Sequence, residues 1–452
     1  MSDTIAAVST GTQVCAIGIV RMSGGKAIDI ADRLFSPVSG RKMADCEDRK
    51  LIYGKLCDEQ GRLLDICLCT ISRAPNSYTG EDTAEFQCHG SPVVLRAVLE
   101  AVFGLGARQA LPGEFTKRAF LNGRMDLSGA EAVADIIDAE TAEAARNAAG
   151  QLGGAISRRI DEIYGALTDI SSHYHAVLDY PDEDIEDFTL ARYESDIDRC
   201  TAVLESLRAS YDSGKLLHSG VPAAIVGRPN AGKSSLLNAV LGYDRAIVTD
   251  IPGTTRDTIE EKLRLGGVLL RLTDTAGIRE TDDEIERMGV TRSRRAMDQA
   301  ELVLAVIDGH REITPEDIEL IKCAERAPHG IVILSKRDLG SLSKMPETTL
   351  PVIEISSVTG EGLDKLEDTV RALFPMPAAP AGEILTNARQ FDAVSRALES
   401  MKAAGGAMRS GCTPDIVLTE TETAMAALGE LTGRTVREEV TNRIFERFCV
   451  GK

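Results

Sequence analysis

The sequence predicts a multidomain α/β protein: an α+β domain comes first, and a doubly wound parallel-sheet domain is inserted into a helical domain. Three observations carry this expectation. Residues 217–375 alternate short β-rich runs with helical stretches, as a parallel sheet requires. Apolar stripes at helical spacing lie on both sides of that block. Residues 1–120 mix strand and helix signals instead. A chain of 452 residues, at about 150 residues per domain, has room for two to four cores.

In the first domain, residues 50–57 and 63–72 are apolar-rich and flank Asp58, Glu59, Gln60 and Gly61, which predicts a hairpin. Residues 82–88 read as a further strand, and 91–105 as a helix opened by Ser91 and Pro92. In the helical domain, Ile160, Ile163, Leu167, Ile170, Tyr174 and Val177 alternate spacings of three and four, which places them on one helix face. Ile197, Cys200, Leu204 and Leu207 repeat the pattern. It returns with Phe391, Val394, Leu398 and Met401, then with Val436, Val440, Ile444 and Phe448. Either half alone would leave its stripe exposed. The helical domain therefore reads as 121–216 plus 376–452. Its borders with the insert fall at a loop near Ser213 and Gly214 and at the proline-rich linker 375–380.

The net charge of -19 argues against broad, sequence-independent attraction to nucleic acid or anionic membrane. A nucleic-acid partner would need a local basic patch or a helper protein. No run of about 18 apolar residues exists, so no membrane span is expected. The N-terminus lacks the basic start and apolar core of a signal peptide. The ten cysteines are scattered without C-x-x-C spacing, as expected for reduced, buried thiols in a cytoplasmic protein. Cys67 and Cys69 fall on the same face of a strand.

The chemistry-bearing motifs lie in the insert. Residues 227–234 spell G-x-x-x-x-G-K-S, after the apolar run 221–226 and before a helix at 235–241. The glycines let backbone N–H groups turn inward around phosphates. Asn230, Ala231, Gly232, Lys233, Ser234 and Ser235 line that loop; Lys233 neutralises β/γ oxygens and the Ser234 hydroxyl suits Mg²⁺. A strand from Leu269 ends in D-x-x-G: Asp274, Thr275, Ala276, Gly277. Asp274 suits magnesium, and the Gly277 N–H suits the γ-phosphate. A further strand, 331–334, ends in Ser335, Lys336, Arg337 and Asp338, where the aspartate accepts from the two guanine donors. Residues 353–357, with Ser356, resemble the last base-contacting loop. The order defines a Ras-like doubly wound P-loop G domain that binds GTP, with ligand loops at the carboxyl ends of its strands.

Two departures stand out. The usual guanine motif is N-K-x-D, and Ser335 replaces the asparagine; one base contact and some bracing of the phosphate loop are expected to go with the amide. Ras-like proteins also place a water-orienting glutamine directly after D-x-x-G, where this chain has Ile278. The acidic stretch 280–286 offers alternatives.

Taken together, these residues resemble the MnmE (TrmE) family of tRNA modification GTPases. The resemblance rests on Asn230, on Thr249-Asp250-Ile251-Pro252-Gly253-Thr254-Thr255-Arg256-Asp257, and on the terminal Phe448-Cys449-Val450-Gly451-Lys452. It rests equally on Gly18-Ile-Val-Arg21, on Asn76-Ser-Tyr-Thr-Gly-Glu81 and on the run 112–122. The resemblance implies a potassium-activated GTPase. In it Asn230, Thr249, Ile251 and Thr254 ligate K⁺, Thr255 joins Ser234 on Mg²⁺, and Glu286 positions the attacking water. A cation beside the β/γ bridge does the work of an arginine finger, worth roughly a thousand-fold in rate or more.

The resemblance also implies a folate-binding first domain that takes formyl-tetrahydrofolate through Arg21, Glu81, Arg124 and Lys452. On their own, Arg21, Glu81 and Arg124 read as surface charges. Cys449 is a candidate catalytic thiol in that family, whereas beside Phe448 its default reading is burial. The implied assembly is a homodimer that joins the FAD-dependent MnmG in a heterotetramer. The implied work is installation of an aminomethyl or carboxymethylaminomethyl group at the C5 atom of the tRNA wobble uridine. GTP hydrolysis would drive conformational change rather than carbon transfer. Rival readings are a ribosome-assembly GTPase, a folate-dependent transferase regulated by GTP, and a non-enzymatic nucleotide switch. The first normally carries an RNA-binding module, and no G-x-x-G sits in a basic context here.

Overall fold

A computed structural model describes residues 3–11, 13–179, 190–244, 261–272, 300–340, 345–375, 380–435, 444–446 and 448–451. They fall into two compact units. One is drawn from Met1–Ile137, Ala148–Ala202 and Ala393–Lys452, the other from Asp138–Asn147 and Val203–Asp392.

The first unit is built on a seven-stranded sheet: β1 (Ile5–Val8), β2 (Cys15–Ser23), β3 (Phe35–Pro37), β4 (Ile52–Cys57), β5 (Leu63–Ser72), β6 (Thr83–Gly90) and β7 (Arg108–Gln109), in the order β3-β4-β5-β6-β2-β1-β7. All pairs are antiparallel except β1 with β7. The hairpin expected around Asp58 is the β4–β5 pair. One face buries Val20, Met22, Cys67, Cys69, Ile71 and Phe86 against helices Ala27–Leu34 and Pro92–Gly104. Cys67 and Cys69 share this face, as the period of two requires.

The helical stripes of this unit are core. In helix Ala155–Asp179, Ile160, Ile163, Leu167, Ile170 and Tyr174 are buried, and it packs on helix Pro414–Thr432. Val394, Leu398 and Met401 are buried as well. Val436 and Val440 lie outside the described residues. No described helix is long and apolar enough to cross a membrane.

The second unit holds a six-stranded sheet: β8 (Val221–Val226), β9 (Glu261–Leu265), β10 (Val268–Leu272), β11 (Leu302–Asp308), β12 (His329–Ser335) and β13 (Val352–Glu354), in the order β13-β12-β11-β8-β10-β9. Every neighbour pair is parallel except β9 with β10. β11 and β12 are buried on both faces, which is why they read as continuous apolar runs. The strand order reverses beside β8, and the crevice at such a point is where doubly wound sheets take ligands.

One sequence expectation is corrected. The loop expected near Ser213 and Gly214 is helix Tyr211–Ser219, and the chain turns at Gly220 (φ 76°) before β8. Gly214 is a packing glycine: a Cβ there would stand 2.0 Å from the Leu385 carbonyl oxygen. The linker expected at 375–380 falls mostly outside the described residues. Gly214→Ala is expected to destabilise this unit by about 1–3 kcal/mol through overpacking, read as a lower midpoint in chemical denaturation.

Candidate functional site

β8 delivers the chain to a loop whose shape depends on close backbone approaches. A Cβ at Gly227 would lie 2.4 Å from the Val306 carbonyl oxygen of β11. Asn230 adopts a left-handed conformation (φ 61°) and Gly232 another positive φ (101°), so the peptide N–H groups turn toward the loop centre. Helix Lys233–Asp244 starts there and aims its N-terminus into the same concavity. The Lys233 ammonium donates across the loop to the carbonyls of Gly227 (2.6 Å) and Arg228 (3.0 Å). Burial lowers its pKa, and an anion in the cradle would favour the charged form. Asn230, Ala231, Gly232, Lys233, Ser234 and Ser235 thus form one phosphate-sized cradle. Ser234 lies in the first turn of that helix.

The base-side loop meets this cradle directly. Ser335 ends β12 fully inside the fold, and its hydroxyl lies 2.5 Å from the Ala231 carbonyl and 3.1 Å from that of Ile307. The loss of bracing expected from the missing asparagine is therefore not found. The shorter side chain reaches because Gly232 admits it: a Cβ on Gly232 would stand 3.2 Å from the Ser335 Cβ. Lys336, at φ 60°, donates to the Asn230 carbonyl and to the Asp308 carboxylate, both at 2.7 Å. Burial is the strongest single influence and opposes the Asp308 charge, but the Lys336 hydrogen bond, the His310 N–H and the charges of Lys336 and Arg311 together lower the pKa. Asp338 accepts from the buried Ser356 hydroxyl at 2.7 Å, which fixes the carboxylate's rotamer. Arg337 turns to Glu354 at 2.9 Å.

Asp308 was missed in the sequence, although an acid ending a wholly apolar strand was visible. Arg228, at a variable position of the loop motif, is likewise engaged, with Glu316 at 2.8 Å. Thr249, Asp250, Ile251, Pro252, Gly253, Thr254, Thr255, Asp274, Thr275, Ala276, Gly277, Glu286 and Lys452 lie outside the described residues.

The first unit holds the other expected set. Arg21 and Glu81 are not surface charges: their side chains are 20% and 15% exposed. Arg21 bonds Glu85 at 2.7 Å, its partner in the β2–β6 register, and lies over the rings of Tyr78 and Phe115. Glu81 accepts from Ser23 (2.8 Å) and Arg118 (2.9 Å). Arg124 is exposed, with its Cγ near Gly80. A cleft of about 290 Å³ is lined by Arg21, Arg49, Ser72, Tyr78, Thr79 and Glu85. Glu85 escaped the sequence reading because only the β2–β6 register brings it to Arg21, and Arg118 because a helix carries it to Glu81.

The C-terminal tail docks on this unit. Val450 bridges Pro112, and the Gly451 carbonyl accepts from Ser9 at 2.9 Å. Phe448 and Gly451 are buried in it while Cys449 is exposed, against the expectation of burial.

A parallel sheet with a glycine-turned phosphate cradle, joined to an aspartate-bearing base loop, defines the P-loop GTP-binding class. Two family models match the chain: the GTP-binding protein TrmE N-terminus over residues 4–124 and the MnmE helical domain over 127–449. The chain is 42% identical to the tRNA modification GTPase MnmE of Symbiobacterium thermophilum, covering 100% of this chain and 99% of the relative. It is 40% identical to that of Clostridioides difficile, at 100% of both, and 42% to that of Roseiflexus sp., at 100% and 99%. The chain belongs to the MnmE family of tRNA modification GTPases, and it is a GTP-hydrolysing enzyme.

Ser335→Ala removes the donor to Ala231 and is expected to weaken GTP binding by about 0.5–1.5 kcal/mol, or roughly threefold to tenfold in Kd by calorimetry. An unchanged Kd would mean that the bracing carries no binding energy.

Proposed function

We propose that this chain is the GTPase subunit of a tRNA wobble-uridine modification system. It works as a homodimer with the FAD-dependent MnmG in a cytoplasmic heterotetramer, and together they install (carboxymethyl)aminomethyl at uridine C5. The observation that carries the reading is the union of the phosphate cradle and the Asp338 loop through Ser335, in a chain that matches tRNA modification GTPases from end to end. The 217–375 segment acts as the inserted motor of a helical domain formed by 121–216 and 376–452.

Asn230, Thr249, Ile251 and Thr254 hold K⁺; Ser234 and Thr255 hold Mg²⁺; Glu286 orients water. These cations supply positive charge where negative charge develops between the β- and γ-phosphates. The turned loop supports the assignment, because it keeps Asn230 exposed at the left-handed position between Gly227 and Gly232. In the first unit, the Arg21 cleft supports a formyl-tetrahydrofolate site that Glu81, Arg124 and Lys452 complete, with Cys449 an exposed thiol of the docked tail.

GTP turnover is expected to be far faster in KCl than in NaCl at equal ionic strength, and equal rates would remove the K⁺ assignment. Glu286→Gln is expected to collapse hydrolysis while leaving GTP affinity within a few-fold; parallel losses of both would reduce Glu286 to a structural residue. Nucleoside analysis of tRNA from a deletion strain is expected to lack the C5 modification, and normal wobble uridines would sink the proposal.

A further inference from the structure

One group of side chains in the first unit has ligand chemistry that neither of the sites above uses. Strands β5 and β6 pair with Leu68 opposite Gln87 and Cys69 opposite Phe86. Carried on by one and by three residues, that register sets Cys67 opposite Cys88 and Asp65 opposite Gly90. Alternation puts Asp65, Cys67 and Cys88 on a single face. Their ligand atoms, one carboxylate oxygen and two sulfurs, all lie within 4.8 Å of one another. Both thiols are buried, and the Asp65 side chain is only 9% exposed. The carboxylate is held from the rim by His89, whose N–H donates to Oδ2 at 2.8 Å and whose ring Nδ1 lies 2.8 Å from Oδ1.

Core packing accounts for Cys69, which is wholly buried beside the apolar centre of the sheet. It does not account for a carboxylate kept at the edge of two facing thiols. The contact with Cys67 and burial both push the Cys88 thiol far above its ordinary range. A divalent cation reverses that balance by replacing the protons. Zinc–sulfur bonds of about 2.3 Å and zinc–oxygen bonds of about 2.0–2.2 Å set the ligands of one tetrahedral ion within the spread found here. Two sulfurs and one oxygen favour a borderline-soft metal over magnesium or calcium.

We propose that Asp65, Cys67 and Cys88 form a binding site for a thiophilic divalent cation of the zinc class, which staples β5 to β6. His89 orients the Asp65 carboxylate, and a water completes the tetrahedron. Binding forms two metal–thiolate bonds and one metal–carboxylate bond and releases both thiol protons to solvent.

The test uses the full chain, purified with reductant and chelator and then freed of chelator. It is titrated with Co²⁺, and the bound Co²⁺ is then displaced by Zn²⁺. One equivalent of Co²⁺ with thiolate-to-cobalt charge-transfer absorption is expected, with two protons released per ion and a rise in Tm when Zn²⁺ is present. The absorption separates this site from any oxygen-lined cation site. Cys67→Ala and Cys88→Ala are each expected to abolish the band, and Cys412→Ser, at an exposed thiol, to leave it unchanged. Should the buried substitutions unfold the unit, the rim variants Asp65→Asn and His89→Ala still report, with affinity expected to fall about 10–100-fold. A stoichiometric titration without the band overturns the proposal, as does a band that survives loss of either cysteine. A Cys67–Cys88 disulfide that persists under reductant, seen as a mass two hydrogens lighter, overturns it too.

Discussion

The nucleotide half of this protein depends on how closely three backbone segments can approach at the carboxyl edge of one parallel sheet. Gly227 lets the phosphate loop lie on the Val306 carbonyl, and Gly232 lets it lie on Ser335. A side chain at either position would push the loop off β11 and β12. The hydrogen bonds that join phosphate and base loops, from Ser335 to Ala231 and from Lys336 to Asn230, exist only at that distance. Phosphate affinity and base recognition are therefore properties of one packed edge rather than of two independent loops.

The first unit is organised by charge instead. Arg118, 10% exposed at its side chain, meets Asp3, Glu81 and Glu114, while Arg108 meets Asp3 and Glu114. Removing Arg118 would take the guanidinium from two largely buried carboxylates, Glu81 and Glu114, so the group is better understood as fixing geometry than as adding net stability. It holds Glu81 beside Ser23, whose hydroxyl also meets Thr79, a residue that lines the Arg21 cleft. The docked tail adds a second constraint: Gly451, at φ 101°, approaches the Val8 carbonyl as only a glycine can, since a Cβ there would stand 2.2 Å away. The chain's last residues are thus brought to the end of β1 by backbone fit.

Local signals carried most of the architecture. Alternation in 63–72 and the three–four stripe through Ile160 and Tyr174 depend only on neighbours in sequence, and both correspond to elements as read. The glycine-rich motif at 227–234 was legible because strand, loop and helix follow one another without interruption. Gly214 was misread because a helix that needs a small residue for a neighbour looks, locally, like a helix that is breaking. The Arg21–Glu85 pair and the Asp65, Cys67 and Cys88 group were out of reach for another reason. Each is made by register between strands, and register is set by the whole sheet. Cys449 was misjudged because its neighbour Phe448 suggested a helix face where the tail is extended.

Ser335 shows how far a substitution in a motif can be judged without its surroundings. Replacing an amide by a hydroxyl removes a donor and an acceptor, and from the motif alone both losses appear to fall on phosphate loop and base equally. The packed edge divides them. The hydroxyl inherits the contact to Ala231, because that contact needs only one donor at short range. It has no second polar atom left to offer a base. On the proposed reading, discrimination rests on the Asp338 carboxylate, whose two oxygens match paired N–H donors that adenine lacks in that geometry. Its orientation comes from Ser356 behind it, while Arg337 is drawn away to Glu354. An aspartate held by a neutral hydroxyl keeps its full charge for the ligand; held by an arginine, it would share that charge. On that proposed reading, the loss of one guanine contact at Ser335 is set against a carboxylate that a neutral hydroxyl orients.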